Sequence, residues 1–518
     1  MKGIKTQKSQ IRKRIFEEVA RLGYEGGDAR DLEELPFKII PGEIGTFRSS
    51  VFLERAVVGQ RLRAAMGLSI QSAGEHVEIS DGLNNSMIDE KYYEPPLIDV
   101  IPFACAGCEL KQVSVTNMCK GCFEHPCVEV CPKKAISMVA GKSTINQDLC
   151  IKCGKCAEVC PYHAIVIQER PCAKACGINA IASDEYGRAH INHNKCVSCG
   201  QCLASCPFGA IVDKGQIYQT IKAINSDTPV YAIIAPAFLG QFKDMTPGKI
   251  RPLFKELGFA DVYDVAIGAD LCTMQESGDF INEVPEEIPY MGTSCCPAWA
   301  KMVKNEFPDQ AKNISMAMTP MVLTARYVKN LFPDSKVCFI GPCTAKKLEA
   351  SRKSVKSYVD FVMTFEELSG MMAAKNIIVS ELEDGESPFM TSAEGWGFAT
   401  AGGVAKSVVD FVHKFDPERV IPIVNAEGLA NCKKMVLMAK AGKYNGYLLE
   451  GMACPGGCIA GAGTIAAPAT ARKVLLTQAE KMSPTTIADP DLFGQALIEA
   501  ENYDMSHSKV EDIKEWKK

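Results

Sequence analysis

The pattern of apolar and polar positions divides the chain into three kinds of segment. Near the start, apolar residues recur at helical spacing over residues 10–22 and 49–66, which predicts two amphipathic helices, with breaks at Gly26-Gly27 and Pro41-Gly42. Residues 101–210 carry only short apolar pieces between Pro/Gly turns, the composition of a small fold that has little core of its own. From about residue 216 onward, short β-rich runs alternate with helical stretches. Residues 230–235, 337–340, 420–424 and 447–449 read as strands, and the alternation predicts an α/β domain. Pro95-Pro96 is a linker candidate. The expected division is a helical region at 1–100 with no assignable chemistry, an α+β segment at 101–215, an α/β domain at 216–480, and a polar, helix-forming tail at 481–518.

A chain of 518 residues exceeds one core, in keeping with several domains. The formal charge is −5, and no Lys/Arg block is long enough to suggest a nucleic-acid groove. No run approaches the roughly 18 apolar residues of a membrane span. The start, MKGIKTQKSQIRKRIFEEVA, is basic but lacks the apolar stretch of a signal peptide, so the cytoplasm is the expected compartment. The chain holds 24 cysteines. In that compartment they are reduced, and their clustered spacing points to metal rather than to disulfides.

Sixteen of those cysteines lie in 101–210. Cys150, Cys153, Cys156 and Cys160-Pro161 spell C-x2-C-x2-C-x3-C-P, the bacterial ferredoxin run in which the fourth thiolate serves the other cluster of a pair. Cys119, Cys122, Cys127 and Cys131-Pro132 supply the complementary half. One cube is therefore expected on Cys119, Cys122, Cys127 and Cys160, and a second on Cys150, Cys153, Cys156 and Cys131. Another full run stands at Cys196, Cys199, Cys202 and Cys206-Pro207, but its complement is split between Cys105-x2-Cys108 and Cys172-x3-Cys176. One ferredoxin-like unit thus reads as inserted in a loop of another, a repeat echoed by Cys131-Pro-Lys-Lys-Ala-Ile and Cys176-Gly-Ile-Asn-Ala-Ile. A third cube is expected on Cys196, Cys199, Cys202 and Cys176, and a fourth on Cys105, Cys108, Cys172 and Cys206. A zinc site is the competing reading of Cys105 and Cys108, and His125 reads as a turn residue. Cubes in series serve to carry single electrons towards a buried catalyst.

Three further segments, Thr293-Ser-Cys-Cys-Pro-Ala-Trp299, Gly341-Pro-Cys-Thr-Ala-Lys-Lys347 and Glu450-Gly-Met-Ala-Cys-Pro-Gly-Gly-Cys458, each follow a short apolar run. Strand ends of an α/β sheet gather ligands, so thiolates from the three loops can converge on one more cube. Gly456-Gly457 suits a close approach of backbone to a cluster. These segments resemble the signature motifs of [FeFe]-hydrogenases, TSCCPxW, PCxxKKxE and ExMACPGGC, in the same order. The resemblance covers roughly residues 100–470.

That resemblance implies an α/β catalytic domain with strands and helices in two lobes around an H-cluster, preceded by the ferredoxin-like four-cluster domain. By motif position, Cys296, Cys343, Cys454 and Cys458 would bind the H-cluster cubane, and Cys458 would bridge to a two-iron subcluster bearing CO, cyanide and an azadithiolate. Cys295 would be the acid/base thiol beside it, with Glu276, Asp279 and Ser315 relaying protons outward. Lys346 would bond an iron cyanide, and Pro236 and Met452 would line the pocket. Cys272, Cys338 and Cys432 read as inert buried thiols.

The implied reaction is 2 H⁺ + 2 e⁻ ⇌ H₂, with ferredoxin or a similar one-electron carrier as partner, and with hydrogenase maturation proteins to build the site. A slow hydrogen sensor, and a non-catalytic carrier resembling eukaryotic cluster-assembly factors, are the other readings. The chain departs from the familiar pattern at Gly341, where methionine is usual, at Ala237, often serine, and at Gly461-Ala-Gly-Thr-Ile in place of GGGQP. Outer residues of this kind tune a metal site's potential and ligand orientation.

Overall fold

The computed structural model describes residues 2–482 apart from 73, 75–76, 88–94, 353–354, 356–357, 386 and 388–390. Of the predicted polar tail, residues 483–518 lie outside the described residues. Among the described residues no helix is long and apolar enough to cross a membrane.

The chain starts with helix α1 (Gln7–Glu25), whose first turn is closed by reciprocal bonds between Thr6 and Ser9 and whose end is turned by Gly26 at φ 77°. A second helix, α2 (Ala29–Ile39), escapes the periodicity because Pro36 lies inside it and reads as a breaker. Asp28 caps it by accepting the amides of Arg30 and Asp31 at 2.7 and 3.2 Å. Helix α3 (Val51–Ala65) is where expected but is not amphipathic along its length. Every residue from Val57 to Ala65 is buried, Gln60, Arg61 and Arg63 included. The reason is that partners cover it on all sides. The three helices share one core with the α/β part of the chain, in which Phe16, Val19, Leu32 and Leu62 join Phe365 and Leu368. At the tightest point α1 crosses the helix Phe365–Ala374, where a Cβ on Gly370 would stand 2.5 Å from the Phe16 Cβ.

The cysteine-rich segment is built as two nested units. Strand β1 (Ile98–Val100) pairs antiparallel with β8 (Ile211–Asp213), more than a hundred residues later. Between them, β2 (Gln112–Val115) pairs with β5 (Ile165–Gln168) around the hairpin of β3 (Ile136–Val139) and β4 (Lys142–Ile145). The hairpin of β6 (Ile181–Ser183) and β7 (Ala189–Ile191) completes the outer unit. Each unit thus pairs its end strands around one inner hairpin.

Two parallel sheets follow. The first has the order β10 (Val262–Asp264), β9 (Val230–Ile234), β12 (Lys336–Gly341), β13 (Phe361–Thr364). The second has the order β11 (Met291–Gly292), β15 (Leu448–Met452), β14 (Ile423–Glu427). Helices make the crossovers that parallel pairing demands. Strands β14 and β15 lie further along than the apolar runs at 420–424 and 447–449. Val420 is exposed, whereas polar Asn425 and Glu427 are held in the strand by pairing with Glu450 and Met452. Backbone pairing outweighs residue propensity there.

Gly370→Ala is expected to push Phe16 and α1 outward at a cost of about 1–3 kcal/mol. Thermal melts should show a transition several degrees lower, and a melt identical to the parent's would contradict the tight crossing.

Candidate metal centres and proton route

The sixteen cysteines of the nested units sit on a repeated backbone device. In the C-x-x-C pair that opens each cysteine run, the residue before the second cysteine is left-handed: Gly107 (φ 60°), Gly121 (58°), Lys152 (57°) and Ser198 (54°). Three residues after each of Cys131, Cys160, Cys176 and Cys206 the chain is again left-handed, at Lys134 (49°), His163 (48°), Asn179 (51°) and Gly209 (60°). Such turns curl the backbone round the sulfur and aim amides at it. Lys152 and Ser198 donate to the Sγ of Cys150 and Cys196 at 3.4 Å. Ala135, Ala164 and Ala180 donate to Cys131, Cys160 and Cys176 at 3.3–3.4 Å. Cys105 and Cys108 share the device with the three other pairs.

These loops bring the cysteines together in fours. Cys131, Cys150, Cys153 and Cys156 line one pocket, and Cys105, Cys108, Cys172 and Cys206 line another. Cys176, Cys196, Cys199 and Cys202 lie within electrostatic reach of one another. Ser143 bridges Cys119 and Cys127, at 3.5 Å to each sulfur. The Cys160 turn is tied to the Cys119 loop where the Thr116 amide bonds the Ala164 carbonyl at 2.7 Å, and Cys122 shares that loop. Among the described residues no three His, Cys, Asp or Glu side chains gather tightly enough for a single metal ion. Thiols spread in fours round a space fit the separate corners of a cube. His125 sits half-buried in a left-handed turn at φ 46°.

Between the two parallel sheets the same arithmetic recurs. Cys296 follows β11, Cys343 follows β12 and Cys454 follows β15, all at the C-terminal ends of strands. Cys458 lies one turn beyond. Its thiol is in electrostatic reach of Cys343, Cys454 and Cys296, so the four converge. The close approach at Gly457 (φ 89°) is to the chain itself, since a Cβ there would meet the Ala401 amide at 2.5 Å. Glu450 accepts the amides of Gly402 and Ala405 at 2.7 and 2.8 Å, fixing the start of the helix Gly403–Phe415. The Trp299 ring lies on Gly451, where a Cβ would meet it at 2.2 Å, so the first and third cysteine segments pack directly on each other. The centre also touches the nested units: Gln201 Nε2 donates to Cys454 Sγ at 3.2 Å, and Cys199 is in reach of Cys454.

Cys295 is packed against the same core as Cys296, Cys458 and buried Met452. Burial first, and the nearby Glu276 charge second, push its thiol well above the ordinary value, so it carries its proton at neutral pH. Glu276, on the helix Ala266–Glu283, is fully buried and accepts the Ser294 amide at 2.7 Å through Oε1. Its Oε2 is buried without a well-aligned hydrogen bond, with the Ser294 and Ser315 hydroxyls beside it. Burial pushes the Glu276 carboxyl up to about 7. Asp279 stands one turn further along the helix, less buried, and adds to that rise. Ser315 also lines a cavity shared with Ser294, Thr319, Glu349 and Arg352. The structure therefore gathers Cys295, Glu276, Ser315 and Asp279.

Lys346 is in electrostatic reach of Cys343 and Cys295, and it is held by Glu349 at 2.6 Å and Thr319 at 3.1 Å. Burial works against its ammonium, but Glu349 outweighs it and the group stays charged. Glu349 and Thr319 were not singled out from the sequence. Glu349 is visible as the closing acid of the second segment, whereas Thr319 carries no local signal. Lys347, by contrast, is turned away into a buried pairing with Asp213 and Glu367. Pro236 opens a single turn after β9. At Gly341, a Cβ would meet the Phe339 ring at 2.5 Å, so Phe339 fills the room a larger residue would need. Cys272, Cys338 and Cys432 are all buried, and Cys272 lies 4.0 Å from Ser294 within reach of Cys295.

Comparison with known proteins bears on this geometry. Residues 228–462 match the family described as iron only hydrogenase large subunit, C-terminal domain. Residues 149–210 match a 4Fe-4S dicluster domain, and residues 119–169 match the LdpA Fe-S cluster-binding domain. Iron hydrogenase 1 of Clostridium pasteurianum is 28% identical over 450 residues, spanning 74% of this chain and 77% of that protein. A subunit of an NADP-reducing hydrogenase from Solidesulfovibrio fructosivorans is 30% identical over 389 residues, 64% of this chain and 58% of that one. Cytosolic iron-sulfur assembly component 3 of Bos taurus is 26% identical over 289 residues, covering 46% and 61%. Residues 228–462 thus form a C-terminal domain of the iron only hydrogenase family, and the segment before them carries iron–sulfur domains.

Proposed function

We propose that the chain is an [FeFe]-hydrogenase that interconverts protons, electrons and H₂. The observation that carries this reading is the convergence of four cysteines beside a fifth, protonated thiol, Cys295, which lies next to a buried carboxyl poised near neutrality. Cys296, Cys343, Cys454 and Cys458 would hold the H-cluster cubane between two lobes, and Lys346 would face the anionic ligands of the two-iron part. That group, when bound, supplies the making and breaking of the H–H bond. Cys295 holds and moves a proton at Sγ, and Glu276 exchanges it with Ser315 and Asp279. A relay must both accept and release protons, so a carboxyl near pH 7 suits it.

Electrons would travel through four [4Fe–4S] cubes. The cube on Cys176, Cys196, Cys199 and Cys202 stands next to the catalytic site, through Cys199 and Cys454. The cube on Cys105, Cys108, Cys172 and Cys206 adjoins it through Cys172 and Cys202. The cubes of the inner unit extend the wire towards a ferredoxin-like one-electron carrier. Maturation proteins would supply the two-iron part. A non-catalytic role in cluster assembly is favoured by the likeness to the cytosolic assembly component, but it gives no use to Cys295 beside Glu276 or to the Lys346–Glu349–Thr319 bracket.

Infrared spectra of the chain matured with the two-iron machinery should show CO and cyanide bands, and a spectrum without them would sink the hydrogenase reading. Cys295→Ala should lower hydrogen turnover about 100-fold or more while leaving those bands in place. For Glu276→Gln, turnover falls as well. The parent carboxyl is neutral below pH ~7 and charged above it, so the limb of the pH profile centred near 7 should vanish in the variant. A retained limb would assign it to another group.

A further inference from the structure

The N-terminal helices have a feature that packing alone does not explain. Three cations from the first 65 residues converge on the backbone around Cys206. Lys8 Nζ donates to the carbonyls of Ala204 at 3.2 Å and Cys206 at 3.0 Å, with Leu203 at 3.5 Å. Arg48 Nη2 donates to Phe208 at 2.6 Å and to Ala104, the neighbour of Cys105, at 3.2 Å, and its guanidinium lies over the Phe208 ring. Arg61 donates to the Gly209 carbonyl. On the other side, buried Arg170 donates to the Cys108 carbonyl at 2.7 Å.

Among the described residues, none of Lys8, Arg48 and Arg61 is ion-paired with a carboxylate, although Arg61 is 6% exposed. The nearby carboxylates are otherwise engaged: Arg12 takes Glu366 at 2.7 Å and Asp213 at 3.5 Å, and Lys347 takes Asp213 at 3.1 Å. Taking a guanidinium out of water is costly unless a counter-charge is present. A source of negative charge within reach of both Lys8 and Arg61 is Cys206, a member of the Cys105, Cys108, Cys172 and Cys206 quartet whose pocket Phe208 also lines.

We infer that Lys8, Arg48 and Arg61 form a cationic bracket that raises the reduction potential of the cube on Cys105, Cys108, Cys172 and Cys206. The inference rests on the cluster assignment proposed above. When this cube accepts one electron from the inner unit its charge becomes more negative by one, and fixed cations beside it favour that reduced form. The bracket holds the cube, second from the catalytic site, as an acceptor of electrons from the inner unit. The N-terminal region thereby gains a role in the wire rather than as a passive cover.

The test is a redox titration of the full reconstituted chain followed by electron paramagnetic resonance, comparing parent, Lys8→Met and Lys8→Arg. In Lys8→Met the equilibrium constant for reducing one cube should fall about tenfold, a ~59 mV drop for one electron. Lys8→Arg should restore it, and the other midpoints should stay put. Arg48→Met should move the same midpoint downward. Unchanged midpoints in both charge-removing variants, at the parent's iron content, would overturn the inference. A parent whose iron content falls short of four cubes, or that lacks cube signals, would instead overturn the cluster assignment beneath it.

Discussion

Thiols repel one another once they are ionised, and this chain gathers them closely in its nested units and at the ends of its parallel strands. Most of the architecture follows from that constraint. In the nested units the buried residues around the cysteines are few, and the cysteines are themselves part of the small cores with Val113, Ile136 and Ile165 or with Ile98, Ile181 and Ile211. Such a segment cannot hold its loops in place by apolar burial, so the free energy of ligation is folding free energy there. The left-handed residues at Lys152, Ser198, Lys134, His163 and Asn179 are tolerated for the same reason. They cost strain in a bare chain, and they aim amides at sulfurs that carry charge once ligated.

The half built on parallel sheets meets the constraint differently. Its four cysteines leave strand ends of two parallel sheets whose cores are large and apolar, so the loops are positioned before any metal arrives. Rigid sheets also let second-layer contacts be specific. Glu450 fixes a helix start, Trp299 locks on Gly451, and Glu349 with Thr319 brackets Lys346. A carboxyl as deeply buried as Glu276 is held near neutrality by the same dryness that keeps the Cys295 proton in place.

Metal-ligand spacing was the most legible layer of the sequence, because cube geometry dictates short fixed intervals within a loop. The split of one cysteine run into Cys105-x2-Cys108 and Cys172-x3-Cys176 reads as one unit set inside another, and β1 pairs with β8 across the strands between them. Strand limits were less legible: β14 runs into polar Asn425 and Glu427 because its neighbour pairs with it, a tertiary effect with no trace in local hydropathy. Helix α2 was hidden by Pro36, and the burial of Arg61 and Arg63 runs against the amphipathic helix expected over 49–66. Thr319 meets Lys346 27 positions along the chain, and Lys8 and Arg61 meet the Cys206 turn 198 and 148 positions away, separations that no motif records.

The nesting also sets an order of events. All cysteines of the inner unit lie between Cys119 and Cys160, so its loop closures are short and can be completed while synthesis continues. The outer unit must keep Cys105 and Cys108 waiting until Cys172 and Cys206 have emerged, and β1 remains an unpaired edge until β8 appears. Long-range pairing of this kind is slow and exposed. The finished inner unit, with its paired ends β2 and β5, shortens the effective loop the outer strands must close, and so acts as an intramolecular clamp in the assembly of the unit that surrounds it.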